Sequence, residues 1–315
     1  MVGGVPAGQD VGVASTDRVP ASTFFMVSAF FHYLGPAFAV LLFARVDVLG
    51  VAWLRIASAA LVFAVWRRPW RTWLASSWPQ RCLLIGLGVV LAAMNSVFYL
   101  AIDVLPLATV GAIEFVGAVA LATFGLRTAR NVAALVIAVV GVYLLADVHF
   151  AAEPAAMVLA AANAALFVGY VVLGHRLAEQ GGAQGIDRLG VAMLIAMVLV
   201  SPVGIVDVAA VITAPVLIAA GLGVGVCSSV IPYVCDQLAM ARLPRATFAL
   251  MLAILPAMSV VIGLVVLGQV PTRIEVAGVG AIIVGLLVHQ ESATTTSPGP
   301  PHGSTHRPVD PGGRR

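Results

Sequence analysis

Apolar residues run along this chain in stretches of about twenty, separated by short polar breaks. A helix rises 1.5 Å per residue and the hydrocarbon core of a bilayer is about 30 Å thick, so a spanning helix needs about 20 predominantly apolar residues. Ten segments meet that demand: residues 22–43, 48–66, 82–101, 106–124, 130–146, 154–173, 189–206, 212–234, 246–267 and 273–289. The pattern predicts an all-α integral membrane protein with ten transmembrane helices. Residues 1–21 form a polar arm before the first span. That span has too long an apolar run, and too many spans after it, to read as a signal peptide. Residues 291–315, rich in Thr, Ser, Pro and Gly, cannot bury a core and are expected to be disordered.

The spans divide into two sets of five, residues 22–147 and 153–290, and the second set echoes the first. Ser96–Val97 followed by Leu105–Pro106–Leu107–Ala108–Thr109 corresponds to Ser229–Val230 followed by Leu243–Pro244–Arg245–Ala246–Thr247. Five is odd, so the second copy enters the membrane from the opposite side. Two inverted five-helix repeats, with a site at the midplane between them, is a common plan of secondary transporters.

Composition agrees with a bilayer environment. Hydrophobic residues make up 61% of the chain and charged residues 10%, against roughly 45–50% and about 25% in soluble domains. Mean hydropathy is +1.05. A soluble enzyme and a disordered chain are both excluded. The formal charge of +3 is too small to imply a nucleic-acid partner. All 17 basic residues are Arg. With both termini inside, 14 of them fall in cytoplasmic segments and two, Arg45 and Arg273, outside, while Arg55 lies within span 2. The positive-inside rule therefore sets both termini in the cytoplasm. Cys82, Cys227 and Cys235 form no C-x-x-C pair, lie in apolar stretches and read as buried small hydrophobes. Nothing in the chain calls for a metal or cofactor, and no P-loop supports an ATP-driven pump.

Ionisable groups inside a membrane are costly and point to function. Glu114, near the centre of span 4 among Gly and Ala, can carry a coupling proton, bind a substrate amine, or serve as a structural buried acid. Arg55 can grip a substrate carboxylate, neutralise Glu114, or snorkel to an interface. Asp103 and Asp236 read as span-end acids that reach water. Asn95 and Tyr99, four residues apart, share one face of span 3. His32 can titrate near neutrality or simply pack. Asn163, Phe167 and Tyr170 form one stripe that faces inward or to a neighbour and reads first as helix packing. Gly221-Leu-Gly-Val-Gly225 reads as a close helix contact. Pro36, Pro232 and Pro256 look intrahelical and free backbone carbonyls.

Several of these segments resemble a known family. Val51–Ala52–Trp53–Leu54–Arg55–Ile56–Ala57 through Trp66–Arg67–Arg68–Pro69–Trp70–Arg71 is similar to the EamA family of the drug/metabolite transporter superfamily. So is Met94–Asn95–Ser96–Val97–Phe98–Tyr99–Leu100–Ala101–Ile102, running on to Leu105–Pro106–Leu107 and Ala112–Ile113–Glu114–Phe115–Val116–Gly117. Within the family they resemble the bacterial threonine/homoserine exporter branch, over about residues 22–290. The resemblance implies an inner-membrane carrier that exports small amino acids or related metabolites by proton exchange. It implies pathway roles for Arg55, Asn95, Tyr99 and Glu114, with His32 as a further candidate. The partners implied are a small-molecule substrate, protons and the lipid bilayer; a homodimer stays open. The chain departs from the branch at Ala118, where the family has Pro, at Leu255–Pro256 for Glu-Pro, at Gln269 for Glu, and at Phe167 for Trp. These losses leave Glu114 as the expected lone mid-membrane carboxylate. The rival functions are a broader drug or metabolite exporter and, in another class, a membrane-embedded enzyme or a scaffold.

Overall fold

The computed structural model describes residues 19–123, 128–150, 153–179, 181–209, 214–244, 248, 251–252 and 254–288. Among the described residues there are helices and no strands. In chain order the helices are α1 (Ala21–Leu42), α2 (Val48–Arg67), α3 (Pro69–Ala75), α4 (Trp78–Val104), α5 (Leu107–Thr123) and α6 (Ala129–Phe150). They continue with α7 (Pro154–Ala178), α8 (Gly182–Ala209), α9 (Pro215–Gly225), a π-helical turn (Val226–Val230), α10 (Ile231–Met240), α11 (Ile254–Leu267) and α12 (Arg273–Val288). Six helical stretches are long and apolar enough to cross a membrane: α1, α2, α4, α7, α8 and the continuous Pro215–Met240. Leu107–Gly117, Val132–Gly141 and Ile254–Leu267 are shorter apolar helical runs. The N-terminal arm to residue 18 and the tail from 289 lie outside the described residues.

Local chemistry sets the helix ends. Asp47 caps α2 by accepting from the Leu49 amide at 3.3 Å. The helix stops at Arg68, whose φ of 50° is left-handed, and Pro69 then opens α3. This seven-residue helix occupies what the sequence reads as a loop. Ser77 and Gln80 form a capping box that starts α4 four residues before the expected span. Leu105 ends α4 in extended backbone, as a residue before Pro must. Thr272 and Glu275 cap α12 reciprocally, at 2.6 and 3.2 Å. Several Arg residues close helix C-termini by donating to terminal carbonyls: Arg188 to Leu177 at 3.1 Å and Arg130 to Val288 at 2.6 Å.

The bundle is apolar outside and more polar within. Leu61, Val65, Val198, Val206, Val265 and Leu287 are all exposed, which suits contact with lipid chains. Buried positions include many small residues, which let helices approach closely. α4 packs on α7, and the Pro215–Met240 stretch packs on α1; α2 packs on α8, and α6 on α12. The centre of this packing receives the polar side chains.

Candidate functional site

Glu114 projects from α5 and is 2% exposed. Three side chains meet its carboxylate. The Tyr33 hydroxyl donates to Oε2 at 3.1 Å, the Asn163 amide donates to Oε1 at 3.1 Å, and His32 Nε2 stands 3.5 Å from Oε2. His32 and Tyr33 come from α1 and Asn163 from α7. Gly111, one turn before Glu114, makes the approach of Tyr33 feasible: a Cβ there would lie 2.7 Å from the Tyr33 hydroxyl. A buried carboxylate needs such donors, since an unsatisfied one costs several kcal/mol, of order ~2–7 kcal/mol even for a neutral polar group. The Asn163 amide nitrogen faces the carboxylate, so its Oδ1 faces away, and that oxygen is a buried acceptor without a hydrogen-bond partner.

Arg55 projects from α2 and is 3% exposed. Its Nε donates to Ser229 Oγ at 2.8 Å and its Nη2 to the Ser228 carbonyl at 2.9 Å. A longer contact, 3.5 Å, reaches the Tyr233 hydroxyl. The chain supplies this free carbonyl through Pro232: in an α-helix the Ser228 carbonyl would accept from the amide of residue 232, and proline has none. The π-helical turn at Val226–Val230 lies over this gap. Gly225 brings α2 close, since a Cβ there would lie 2.7 Å from the Arg55 carbonyl. The expected close contact at Gly221–Gly225 is thus the packing of this stretch against α2. Arg55 neither snorkels nor pairs with Glu114: among the described residues no carboxylate forms an ion pair with it.

His32, Arg55, Asn95 and Glu114 line one cavity, together with Met94, Phe98, Asn163 and Tyr233. Asn95 accepts from the Tyr233 hydroxyl at 3.3 Å and donates to the Leu91 carbonyl at 2.6 Å. Tyr99, the fifth sequence candidate, is absent from that lining and backs Arg55, its ring centroid 5.2 Å below the guanidinium carbon. The cavity leaves about 10 Å³ for the centre of a water-sized sphere, the room of roughly one water.

Three readings of the sequence change here. Asp236 is not a water-facing span end but 5% exposed, held by the Ser28 hydroxyl at 2.5 Å and the Tyr170 hydroxyl at 2.8 Å. Glu114 is therefore not the lone buried acid of the bundle. Asp103 is exposed, as expected. The Asn163–Phe167–Tyr170 stripe faces the polar centre: Asn163 binds Glu114, Phe167 sets its ring edge-on to His32 at 5.9 Å, and Tyr170 binds Asp236. Cys82 is exposed, and Cys227 and Cys235 are half-buried, so none is the fully buried thiol expected. Tyr33 and Asn163 at Glu114, and Tyr233 at Arg55, are contacts of the two central charges that the sequence shows as polar groups without marking as pathway residues. Pro232, four residues beyond Ser228, was the one signal that pointed at the Arg55 anchor.

Apolar helices packed around a cavity lined by Arg55, His32 and Glu114 fit the class of multi-pass membrane transporters. Comparison with known proteins narrows the class. The model of the EamA-like transporter family matches residues 154–289. The threonine/homoserine exporter RhtA of Escherichia coli strain K12 is 32% identical over 268 residues, covering 82% of this chain and 88% of that protein. RhtA of Salmonella typhimurium strain LT2 is 33% identical over 254 residues, covering 79% of this chain and 84% of that protein. This chain belongs to the EamA-like transporter family. A solved crystal structure at 19% identity superposes with a TM-score of 0.59, covering 85% of this chain and 96% of the other, and shows a shared fold.

Proposed function

We propose that this protein exports small zwitterionic amino acids, threonine and homoserine foremost, across the inner membrane in exchange for protons. The observation that carries this reading is the pair of buried charges that line one cavity without neutralising each other. A free amino acid offers a carboxylate to Arg55, which has no carboxylate partner among the described residues, and an ammonium to Glu114 beside His32. Asn95 and Tyr233 line the wall between, and Tyr99 holds Arg55 from behind. The name carried by the relatives, threonine/homoserine exporter, supports the substrate class.

One carboxylate then couples two movements. Glu114 binds either the ammonium or a proton, and the two are mutually exclusive. A proton arriving from outside displaces the substrate outward; its departure inward readies the site for the next molecule. The cavity has room for about one water, so loading requires the helices to part. Ten spans in two inverted repeats, 22–147 and 153–290, with both termini cytoplasmic, provide a suitable frame. Matching contacts support the repeat: α4 packs on α7 as Pro215–Met240 packs on α1, and α5 packs on α7 as α11 packs on α1.

The test is efflux of radiolabelled threonine from proteoliposomes with an imposed pH gradient. Wild-type protein is expected to accelerate efflux when the outside is acidic, and Glu114→Gln to abolish that response. Equal, gradient-driven efflux by wild type and Glu114→Gln would overturn the coupling role.

A further inference from the structure

The polar centre holds a second buried acid that the exchange at Glu114 does not use. Asp236 lies on α10, four residues before its end at Met240, or about 6 Å of helix. Its partner Ser28 lies seven residues into α1, about 10 Å from that helix's start at Ala21. These two helix ends meet: Arg242 donates to the Val19 carbonyl at 2.9 Å. Asp236 therefore sits between this Arg-bearing end of the bundle and the cavity. His32 follows Ser28 by one turn on the same face of α1, about 6 Å deeper. It turns Nε2 to Glu114, and Ser28, one turn before it on the same face, donates to Asp236.

We propose that Asp236 is an intermediate proton acceptor, and that Asp236, His32 and Glu114 form the path by which the coupling proton travels between the cavity and the Arg-bearing end. The proposal rests on proton exchange at Glu114. In the inward step the proton leaves Glu114 for His32 Nε2, His32 passes a proton to Asp236, and Asp236 releases it toward water. Each donor returns to its starting charge, so no net charge is left along the path. A carboxylate kept only as a helix tie could be an amide at less cost, its oxygen accepting from one hydroxyl and its nitrogen donating to the other, without burying an acid. The titratable groups around Asp236 are Tyr170 on α7, which donates to it, His32 on α1, one turn beyond its partner Ser28, and Tyr233 and Cys235 on its own helix. No Arg forms an ion pair with it among the described residues. Ser28 and Tyr170 thus offer hydrogen bonds without fixing the charge, which suits a group that must take up and lose a proton.

The experiment separates proton movement from substrate movement. Asp236→Asn is reconstituted and assayed twice: for threonine/threonine exchange at equal pH on both sides, which needs no net proton transfer, and for efflux driven by an imposed pH gradient. Exchange is expected to survive, while gradient-driven efflux falls roughly a hundredfold, the scale of a lost positioned proton carrier. Ser28→Ala, which keeps the acid and removes one donor, is expected to move the pH midpoint of driven efflux at unchanged KM. Should Asp236→Asn not fold, Ser28→Ala carries the test alone. Driven efflux by Asp236→Asn at the wild-type rate and pH profile, or an unmoved midpoint in Ser28→Ala, would overturn the path while leaving Glu114 exchange standing. If wild-type efflux ignores the gradient, the exchange reading fails and the path falls with it.

Discussion

The two poles of the cavity bury opposite charges by different means. Glu114 collects donors from side chains on two neighbouring helices, α1 and α7. Arg55 is held mainly by one short stretch, where a serine hydroxyl and a carbonyl freed by Pro232 accept its protons. The acid is thus fixed by tertiary packing and the base by a local defect in a single helix. Arg55 is solvated by dipoles alone among the described residues, whereas Glu114 also has His32 Nε2 3.5 Å from its carboxylate; neither charge is spent on the other. Direct pairing would have cancelled both charges and removed any grip on a zwitterion.

That contrast orders the expected effects of substitution. The largest belongs to Glu114→Gln, which keeps the shape but removes the charge that would hold ammonium or proton; net threonine efflux is expected to fall by roughly a hundredfold or more. Arg55→Lys comes next. A lysine cannot reproduce the forked donation to Ser229 and Ser228, and each hydrogen bond to a charged group is worth about 1.5–3 kcal/mol. Threonine KM is expected to rise roughly tenfold for each ~1.4 kcal/mol lost. Asn163→Leu removes one donor from the acid pole and leaves the basic pole intact. It is expected to weaken threonine by a smaller factor, with the loss confined to ligands that carry an ammonium. The smallest effect is expected for Pro232→Ala, which restores a backbone amide to compete for the Ser228 carbonyl. Weakening one Arg55 hydrogen bond should cost about 1 kcal/mol or less in substrate affinity. If Pro232→Ala hurt as much as Arg55→Lys, the basic pole would depend on helix shape rather than on that carbonyl.

The membrane character, the apolar segments and the two central charges were legible in the sequence because an ion inside a long apolar run has few reasons to be there. The neutral partners were not. Asn163, Tyr33 and Tyr233 have hydrogen-bonding groups that a membrane helix can satisfy by packing, so their type alone does not fix which way they face. Asp236 misled for a related reason. Its position near a span end implied water, but the π-helical turn upstream resets the face of α10 and turns the carboxylate toward Ser28 and Tyr170. No regular helical period written on the sequence carries that shift. Tyr99 was paired with Asn95 by its four-residue spacing, yet one lines the cavity and the other backs Arg55.

The claim that two opposite, separate poles grip a zwitterion is tested most directly by competition with analogues that each lack one charge. Inhibition of threonine exchange is measured with L-threoninol, which has no carboxylate, and N-acetyl-L-threonine, which has no ammonium. Wild-type protein is expected to prefer threonine strongly over both. Arg55→Lys is expected to narrow the preference over threoninol alone, and Glu114→Gln the preference over N-acetylthreonine alone. If either substitution narrowed both preferences equally, or neither, the two-pole account would be contradicted.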